Sequence, residues 1–194
     1  MAIAGETGAG TGSNLAFLAA APPAGIFSGL RYIQHAAVFG AVYVMETKEF
    51  TVLLVEDDLN DIFLVKRAFK MAHLANPLQV VTDGLEAIYY LRGAGKYSDR
   101  NAYPLPHLIV MDIKMPRKSG FEVLEWVKRD TRLRRIPVVI VSSSDNPADI
   151  NHAYELGANA YMVKPVDFQA VEHLFQTITS YWGLECAKPE LELV

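Results

Sequence analysis

The sequence of 194 residues lacks features that disulfide-bonded, nucleic-acid-binding and histidine-ligated metal proteins require. Its single cysteine, Cys186, cannot form an internal disulfide, which favours a reducing compartment, and we expect the cytoplasm. The 18 basic and 22 acidic residues give a net charge of −4, so no overall positive field attracts nucleic acid. Metal-ligand spacing is absent among the five histidines, which are His35, His73, His107, His152 and His173.

Long hydrophobic runs are also missing. The apolar stretches at residues 15–21 and 33–44 are too short to span a bilayer, and no basic region precedes the first, so we expect neither a membrane anchor nor a secretory signal. Residues 1–44 are rich in Gly and Ala and show no core periodicity, with Glu6 and Arg31 as their only fixed charges. We therefore expect a poorly ordered extension, or an upstream start that is not the native one, before a folded domain of residues 45–194.

From residue 50 onward, short apolar runs alternate strictly with amphipathic helical patterns. The runs predict strands at 50–55, 78–81, 108–111, 136–141 and 160–163. A helix is predicted after each strand, at about 58–74, 85–91, 119–130, 146–157 and 167–183. Five such units predict an α/β fold, a flavodoxin-like, doubly wound, five-stranded parallel sheet with strand order 2-1-3-4-5.

Polar side chains follow the carboxyl ends of four predicted strands. Glu56 and Asp57 follow the first, Asp112 the third, Ser142 the fourth and Lys164 the fifth. A parallel sheet places all of them at one edge, where three carboxylates repel one another and require a cation, Mg²⁺ being the expected one. With Lys164 as a second positive charge, the site suits the approach of a phosphoryl group to a carboxylate nucleophile, and Asp112 is the candidate for that nucleophile.

Four motifs in this order resemble the receiver domains of two-component response regulators. They are VEDD at 55–58, MDIKMP at 111–116, VS at 141–142 and YMVKP at 161–165. The resemblance extends over residues 50–181. It implies a protein that is phosphorylated by a sensor histidine kinase and signals by conformational switching, and that catalyses only its own phosphorylation and dephosphorylation.

The resemblance also implies a role for each motif residue. Asp112 is the phosphoacceptor, Asp57 and Asp112 ligate Mg²⁺ directly, Glu56 acts on the metal through water, and the main-chain carbonyl of Lys114 completes the protein ligands.

Further roles belong to the two C-terminal motifs. Ser142 and Tyr161 match the pair of switch residues, and Lys164 contacts the phosphoryl group. The chain also resembles the single-domain regulators encoded beside bacterial phytochrome kinases. Three features carry this resemblance: the long loop at 93–107, the RRIPVV segment at 134–139 and Trp182. This implies an upstream kinase of phytochrome type.

Two alternatives remain, a phosphorylation-independent docking module and a phosphotransfer intermediate. A phosphatase of the haloacid dehalogenase type is disfavoured, because Lys114 stands where that family needs a second acid.

The segment after residue 182 is too short for a DNA-binding domain, so we expect no DNA partner. The last helix carries four aromatic residues, Phe168, Phe175, Tyr181 and Trp182. Because aromatic residues are common in interface cores, we expect a homodimer or partner docking through the face of this helix.

Overall fold

The structure is a computed structural model that describes residues 32–35, 42–45, 50–71 and 77–185. The chain divides into two units, residues 1–46 and 47–194. In the first unit, strand β1 (Tyr32–His35) pairs antiparallel with strand β2 (Val42–Met45). This pair was not expected from the sequence. The poor order predicted for residues 1–44 as a whole stays a prediction, because most of that segment lies outside the described residues.

The second unit is built on a five-stranded sheet in which every neighbouring pair is parallel. The strands are β3 (Val52–Val55), β4 (Leu78–Val81), β5 (Leu108–Met111), β6 (Val138–Ser142) and β7 (Ala160–Val163). Their order across the sheet is β4-β3-β5-β6-β7. Counted within this sheet, the order is 2-1-3-4-5, so the predicted flavodoxin-like topology is confirmed.

Five helices connect and follow these strands. They are α1 (Leu59–Met71), α2 (Gly84–Arg92), α3 (Gly120–Arg129), α4 (Pro147–Glu155) and α5 (Phe168–Ser180). Four have a side-chain cap of the expected type, from Asp83, Ser119, Asn146 and Asp167. The Asp58 carboxylate accepts hydrogen bonds from the main-chain N–H groups of Asn60 and Asp61, so it starts α1 in the same way.

Hydrophobic side chains form one core on each face of the sheet. Along β3, Leu53 and Val55 belong to the core under α2, α3 and α4, while Val52 and Leu54 belong to the core under α1 and α5. Successive side chains of a strand point to opposite faces, so a strand buried on both faces must be apolar throughout. This explains why β3 and β5, which are buried along their whole length, read as continuous apolar runs.

The predicted ends of β6 and of the last helix differ from the structure. Ser142 is the last residue of β6 rather than the residue after it. Gly183 does not end the last helix, because the chain continues as a π-helical turn over Tyr181–Glu185. The predicted end of the first helix near residue 74 stays a prediction, because residues 72–76 lie outside the described residues.

The long loop before β5 is held down by its own side chains. Arg100 donates from its guanidinium to the main-chain oxygens of Tyr90 and Leu91, at 2.8 and 2.7 Å, where α2 ends. The Tyr90 hydroxyl donates to the Pro104 oxygen at 2.7 Å, and its ring packs against that of Tyr97. Buried hydrogen-bond partners therefore fix a loop whose composition alone suggests flexibility.

A fragment of residues 45–194 should unfold at the same temperature as the full chain, within about 2 °C, as expected for a change that removes no core contact. Among the residues that the structure describes, both hydrophobic cores consist of residues from Phe50 onward. Thermal unfolding of the two proteins followed by circular dichroism tests this. A fragment that unfolds much earlier would mean that the first 44 residues support the domain.

Candidate functional site

Main-chain hydrogen bonds continue the sheet beyond its strands and thereby position the predicted site. Glu56 N–H donates to the Val81 oxygen at 3.1 Å, and Asp112 N–H donates to the Val55 oxygen at 3.1 Å. Lys164 N–H donates to the Ser142 oxygen at 2.8 Å. The residues that follow β3, β5 and β7 are thus held at one edge of the sheet, as the sequence predicted.

Asp112 is a buried carboxylate with only 6% of its surface exposed. Its Oδ1 accepts hydrogen bonds from the main-chain N–H groups of Ile113 at 2.6 Å and Lys114 at 3.2 Å. The loop closes tightly over it, since a Cβ at Gly120 would lie 2.1 Å from the Asp112 main-chain oxygen. Only glycine fits at that position, so the start of α3 packs directly on the backbone that carries Asp112.

Lys164 lies at the centre of the site. Its Nζ donates to Glu56 Oε2 at 2.7 Å, to Asp112 Oδ2 at 2.7 Å and to Asp61 Oδ2 at 2.8 Å. The Lys164 side chain is 17% exposed, whereas those of Glu56 and Asp112 are 4% and 7% exposed. The three acids and the ammonium therefore form one connected charge cluster, most of it shielded from solvent.

Burial and the ion pairs act in opposite directions on these groups. Burial raises the pKa of Glu56, and the ion pair with Lys164 only partly offsets this. For Lys164 burial disfavours the ammonium, but the carboxylates of Asp112, Asp61 and Glu56 outweigh it and raise the pKa above its ordinary value. Lys164 is therefore a permanent positive charge at neutral pH.

Asp61 is the member of this cluster that the sequence analysis missed. It lies in the first turn of α1, and its side chain is 35% exposed. An acid in the first turn of a helix is ordinarily explained by the helix dipole, so it attracts no attention. The signal that could have identified it is its position four residues after Asp57, in the first turn of the helix that follows Glu56 and Asp57.

Oxygen donors suited to a hard divalent cation surround this edge. The exposed Asp57 directly follows Glu56, and Asp112 lies beside Glu56 through their shared partner Lys164. Among the described residues, no three His, Cys, Asp or Glu side chains are arranged to hold a metal ion in common. The donor chemistry fits such a cation, while the carboxylate oxygens facing the site centre are bonded to Lys164.

Ser142 and Tyr161 come together around the loop after β6. Ser142 is fully buried, and its hydroxyl accepts a hydrogen bond from the Ser144 N–H at 3.4 Å. The Tyr161 hydroxyl donates to the Ser144 main-chain oxygen at 2.9 Å, and burial raises the pKa of Tyr161. The structure thus connects β7 to the loop after β6 through the side chain that was predicted as a switch.

The aromatic residues of the last helix are less exposed than a docking surface would need. Phe175 is buried, with 3% of its surface exposed, and Phe168 is covered by the Arg67 guanidinium, 4.3 Å from its ring centre. Trp182 packs against the core under α1 and α5. Of the four, Tyr181 is the one that is largely exposed, at 55%.

Comparisons with known proteins agree with this geometry. The model of the response regulator receiver domain family matches residues 52–176. Response regulator Rcp1 of Synechocystis is 37% identical over 131 residues, which cover 68% of this chain and 87% of Rcp1. The structure of the phosphorylated cyanobacterial phytochrome response regulator RcpA matches with a TM-score of 0.68 and 35% identity, covering 73% of this chain and 99% of RcpA.

A Mn²⁺-bound form of Rcp1 matches with a TM-score of 0.66 and 35% identity, over 73% of this chain and 99% of that structure. No helix in the described ranges is long and apolar enough to cross a membrane. The family model spans more than half of the chain and includes the sheet, helices α1 to α4, most of α5 and the acidic edge. The chain therefore belongs to the response regulator receiver domain family and is a phosphoacceptor protein of two-component signalling, similar to the response regulators of phytochromes.

Proposed function

We propose that Asp112 is the residue that accepts the phosphoryl group, and that a sensor histidine kinase supplies it. The observation that carries this proposal is the buried Asp112 carboxylate at the edge of the sheet, with the Lys164 ammonium 2.7 Å away. A carboxylate nucleophile beside a fixed cation can receive a dianionic group that would otherwise be repelled.

In the transfer step, an oxygen of Asp112 forms a new bond to phosphorus, and the bond from phosphorus to the donor breaks. The electron pair of the broken bond stays with the donor, which is a histidine ring nitrogen of the kinase. Lys164 donates a hydrogen bond to a phosphoryl oxygen, and the Ile113 N–H, 2.6 Å from Oδ1, fixes the orientation of the carboxylate. Ser142 lies at the same edge and supplies a hydroxyl for a second phosphoryl oxygen.

Mg²⁺ is the proposed cofactor, and when bound it would supply positive charge to offset the charge that builds up on the transferred group. Glu56, Asp57, Asp112 and the main-chain carbonyl of Lys114 are the residues that would hold it. Carboxylate and carbonyl oxygens are the ligands that Mg²⁺ prefers, and Glu56 and Asp112 already lie within hydrogen-bond distance of one ammonium group.

Incubation of the protein with acetyl phosphate and Mg²⁺, followed by intact-mass spectrometry, tests the proposal. We expect the mass to increase by one phosphoryl group only when Mg²⁺ is present. Peptide mapping should locate the modification on residues 111–116. An unmodified protein, or a modification that does not need the metal, would contradict the proposal.

Asp57→Asn should weaken Mg²⁺ binding more than Glu56→Gln, because Asp57 is proposed as a direct ligand and Glu56 as one that acts through water. Loss of an outer partner alone typically lowers metal affinity about 10- to 100-fold, and we expect the loss in Asp57→Asn to exceed that in Glu56→Gln. Asp57 is exposed and free to reach a cation at the edge, whereas Glu56 is buried and bonded to Lys164. Titration with Mg²⁺ followed by tryptophan fluorescence or calorimetry gives both affinities. Equal losses in the two variants would contradict these roles.

The remaining parts of the proposal concern the cellular context. The phytochrome response regulators among the relatives support an upstream histidine kinase of phytochrome type. We infer that the protein works in the cytoplasm and that its only catalysis is its own phosphorylation and dephosphorylation. After transfer, rearrangement at Ser142 and Tyr161 changes the face formed by α4, β7 and α5, since Tyr161 bridges β7 and the loop that leads into α4.

Self-association through that face is part of the same proposal. Its exposed apolar side chains are Tyr154, Val163, Val166 and Tyr181. Sedimentation velocity of the Mg²⁺-bound protein, with and without a phosphoryl mimic, should show a dimer that Tyr181→Ala weakens by several-fold, because exposed aromatic residues are common in interface cores. The buried Phe175 is unsuitable for such a test, since its loss would damage the fold. A protein that is monomeric with and without the phosphoryl mimic would contradict self-association, and the face could then bind only other proteins.

A further inference from the structure

The ammonium group of Lys164 has three N–H bonds, and each is used by a different carboxylate. Glu56 and Asp112 belong to the proposed phosphoryl site, and they accept at 2.7 Å each. The third acceptor, Asp61 at 2.8 Å, is neither the proposed phosphoacceptor nor a proposed metal ligand. It also belongs to a different element, because Glu56 and Asp112 follow strands whereas Asp61 lies on helix α1.

The first turn of α1 is built so that Asp61 reaches Lys164. Asp58 Oδ1 accepts hydrogen bonds from the N–H groups of Asn60 at 2.7 Å and Asp61 at 3.2 Å, and the Asp58 main-chain oxygen accepts from Ile62 at 3.0 Å. These bonds fix where the helix begins, and the packing of Phe69 on α1 against Phe175 on α5 fixes how it is rotated. Asp61 is the most exposed of the three acceptors of Lys164, with 35% of its side chain exposed against 4% for Glu56 and 7% for Asp112.

We propose that Asp61 is a positioning residue that keeps the Lys164 ammonium at the phosphoacceptor while the charge on Asp112 changes. The inference rests on the proposed role of Asp112. When the Asp112 oxygen that accepts from Lys164 becomes bonded to phosphorus, it loses its negative charge and most of its strength as an acceptor. The released N–H turns to a phosphoryl oxygen, and the hydrogen bonds to Asp61 and Glu56 hold the ammonium in place during this exchange.

Without Asp61, Lys164 would have one fixed acceptor fewer at the moment of transfer. Its ammonium is carried on a flexible four-carbon stem with several rotamers, so a lost anchor lets it move. Displacement of a charged group by about 1 Å during a reaction can lower its rate substantially. Hydrogen bonds to charged acceptors are roughly twice as strong as those to neutral ones, so even Asn at position 61 would hold the ammonium less firmly.

The test compares Asp61→Asn and Asp61→Ala with Asp58→Asn in the full chain. Asp58→Asn is the matched control, because it removes one negative charge from the same helix turn, while the Asn amide oxygen can still accept the N–H groups of Asn60 and Asp61. It also leaves the three hydrogen-bond acceptors of the Lys164 ammonium in place. The first readout is the exchange rate of the Lys164 Nζ protons with water in the metal-free protein, measured by ¹⁵N NMR. The second is the rate of phosphorylation by acetyl phosphate with Mg²⁺.

We expect the Nζ protons to exchange at least ~3-fold faster in Asp61→Asn and faster still in Asp61→Ala, whereas Asp58→Asn behaves as the wild type. Relative to Asp58→Asn, phosphorylation should be at least ~3-fold slower in both Asp61 variants. Unchanged proton exchange would overturn the proposal, because Asp61 would then not hold Lys164. Faster exchange with an unchanged rate of phosphorylation would overturn it too, because the hydrogen bond would have no consequence for the reaction.

The first readout also separates this proposal from the function on which it rests. Proton exchange at Lys164 is measured without a phosphodonor and without Mg²⁺. A wild-type protein that is never phosphorylated would therefore contradict the role of Asp112, and the exchange rates would still show whether Asp61 holds Lys164.

Discussion

Asp112→Asn should reduce phosphorylation by acetyl phosphate by on the order of 10³-fold or more, the usual effect of removing a nucleophile. Asparagine has nearly the same size, and its amide oxygen can still accept the N–H of Ile113, which lies 2.6 Å from Oδ1 in the native protein. The amide, however, carries no negative charge and is a very weak nucleophile toward phosphorus. The variant therefore removes the chemistry and keeps the local hydrogen bond.

The matched control for this variant is again Asp58→Asn, which alters an acid at the same edge of the sheet without removing a hydrogen-bond acceptor of Lys164. We expect its phosphorylated fraction, read from the intact mass, to remain near that of the wild type. Phosphorylation of Asp112→Asn at the wild-type level would mean that another residue accepts the group. If peptide mapping then located the phosphoryl group on Glu56 or Asp57, the fold would still be correct, but the assignment of Asp112 as the acceptor would be wrong.

The fold could be predicted because each sheet strand carries its own signal. The apolar runs that became Val52–Val55 and Leu108–Met111 contain no polar residue, which indicates a strand covered on both faces. A parallel sheet then brings the residues after its strands to one edge without any further information. For this reason the sequence alone predicts that Glu56, Asp112 and Lys164 meet.

Asp61 could not be predicted in the same way, because its position depends on how a helix is rotated. Its partner Lys164 lies 103 positions away along the chain, and nothing local in the sequence connects the two. A strand end fixes a residue in one place, whereas a helix can present its first turn in several directions. The direction here is decided by the packing of α1 against α5 under the sheet, which involves Phe69 and Phe175.

The aromatic residues of α5 illustrate a related limit. Helical spacing shows that Phe168 and Phe175 lie on the same side of the helix, but it does not show which parts of that side are covered. The structure buries Phe175 in the core, and a cation from a neighbouring helix, Arg67, lies over Phe168. Cover supplied by a side chain from another element leaves no trace in the local sequence pattern.

Lys164→Met should lower the free energy of unfolding by about 3 kcal/mol at pH 7, the typical cost of removing one partner from a buried ion pair. Methionine retains most of the apolar stem, so the loss comes mainly from the charge. Glu56 and Asp112 would remain buried, at 4% and 7% side-chain exposure, with no cation between them. Lys66→Met is the matched control, since Lys66 is exposed on α1 and should change the stability by less than about 0.5 kcal/mol.

The loss should depend on pH in a direction that Glu56 determines. Burial already raises the folded-state pKa of Glu56 above its ordinary value of 4.5, and removal of Lys164 takes away the interaction that lowers it. A carboxyl group whose pKa is higher in the folded state contributes stability that is fully present below its unfolded pKa and is lost as the pH rises through the folded pKa. The deficit of Lys164→Met should therefore be largest at pH 7 and shrink as the pH falls toward 4.5. Urea denaturation of both variants and the wild type at several pH values measures it, and a deficit that is the same at every pH would show that packing, rather than the unpaired carboxylates, accounts for the loss.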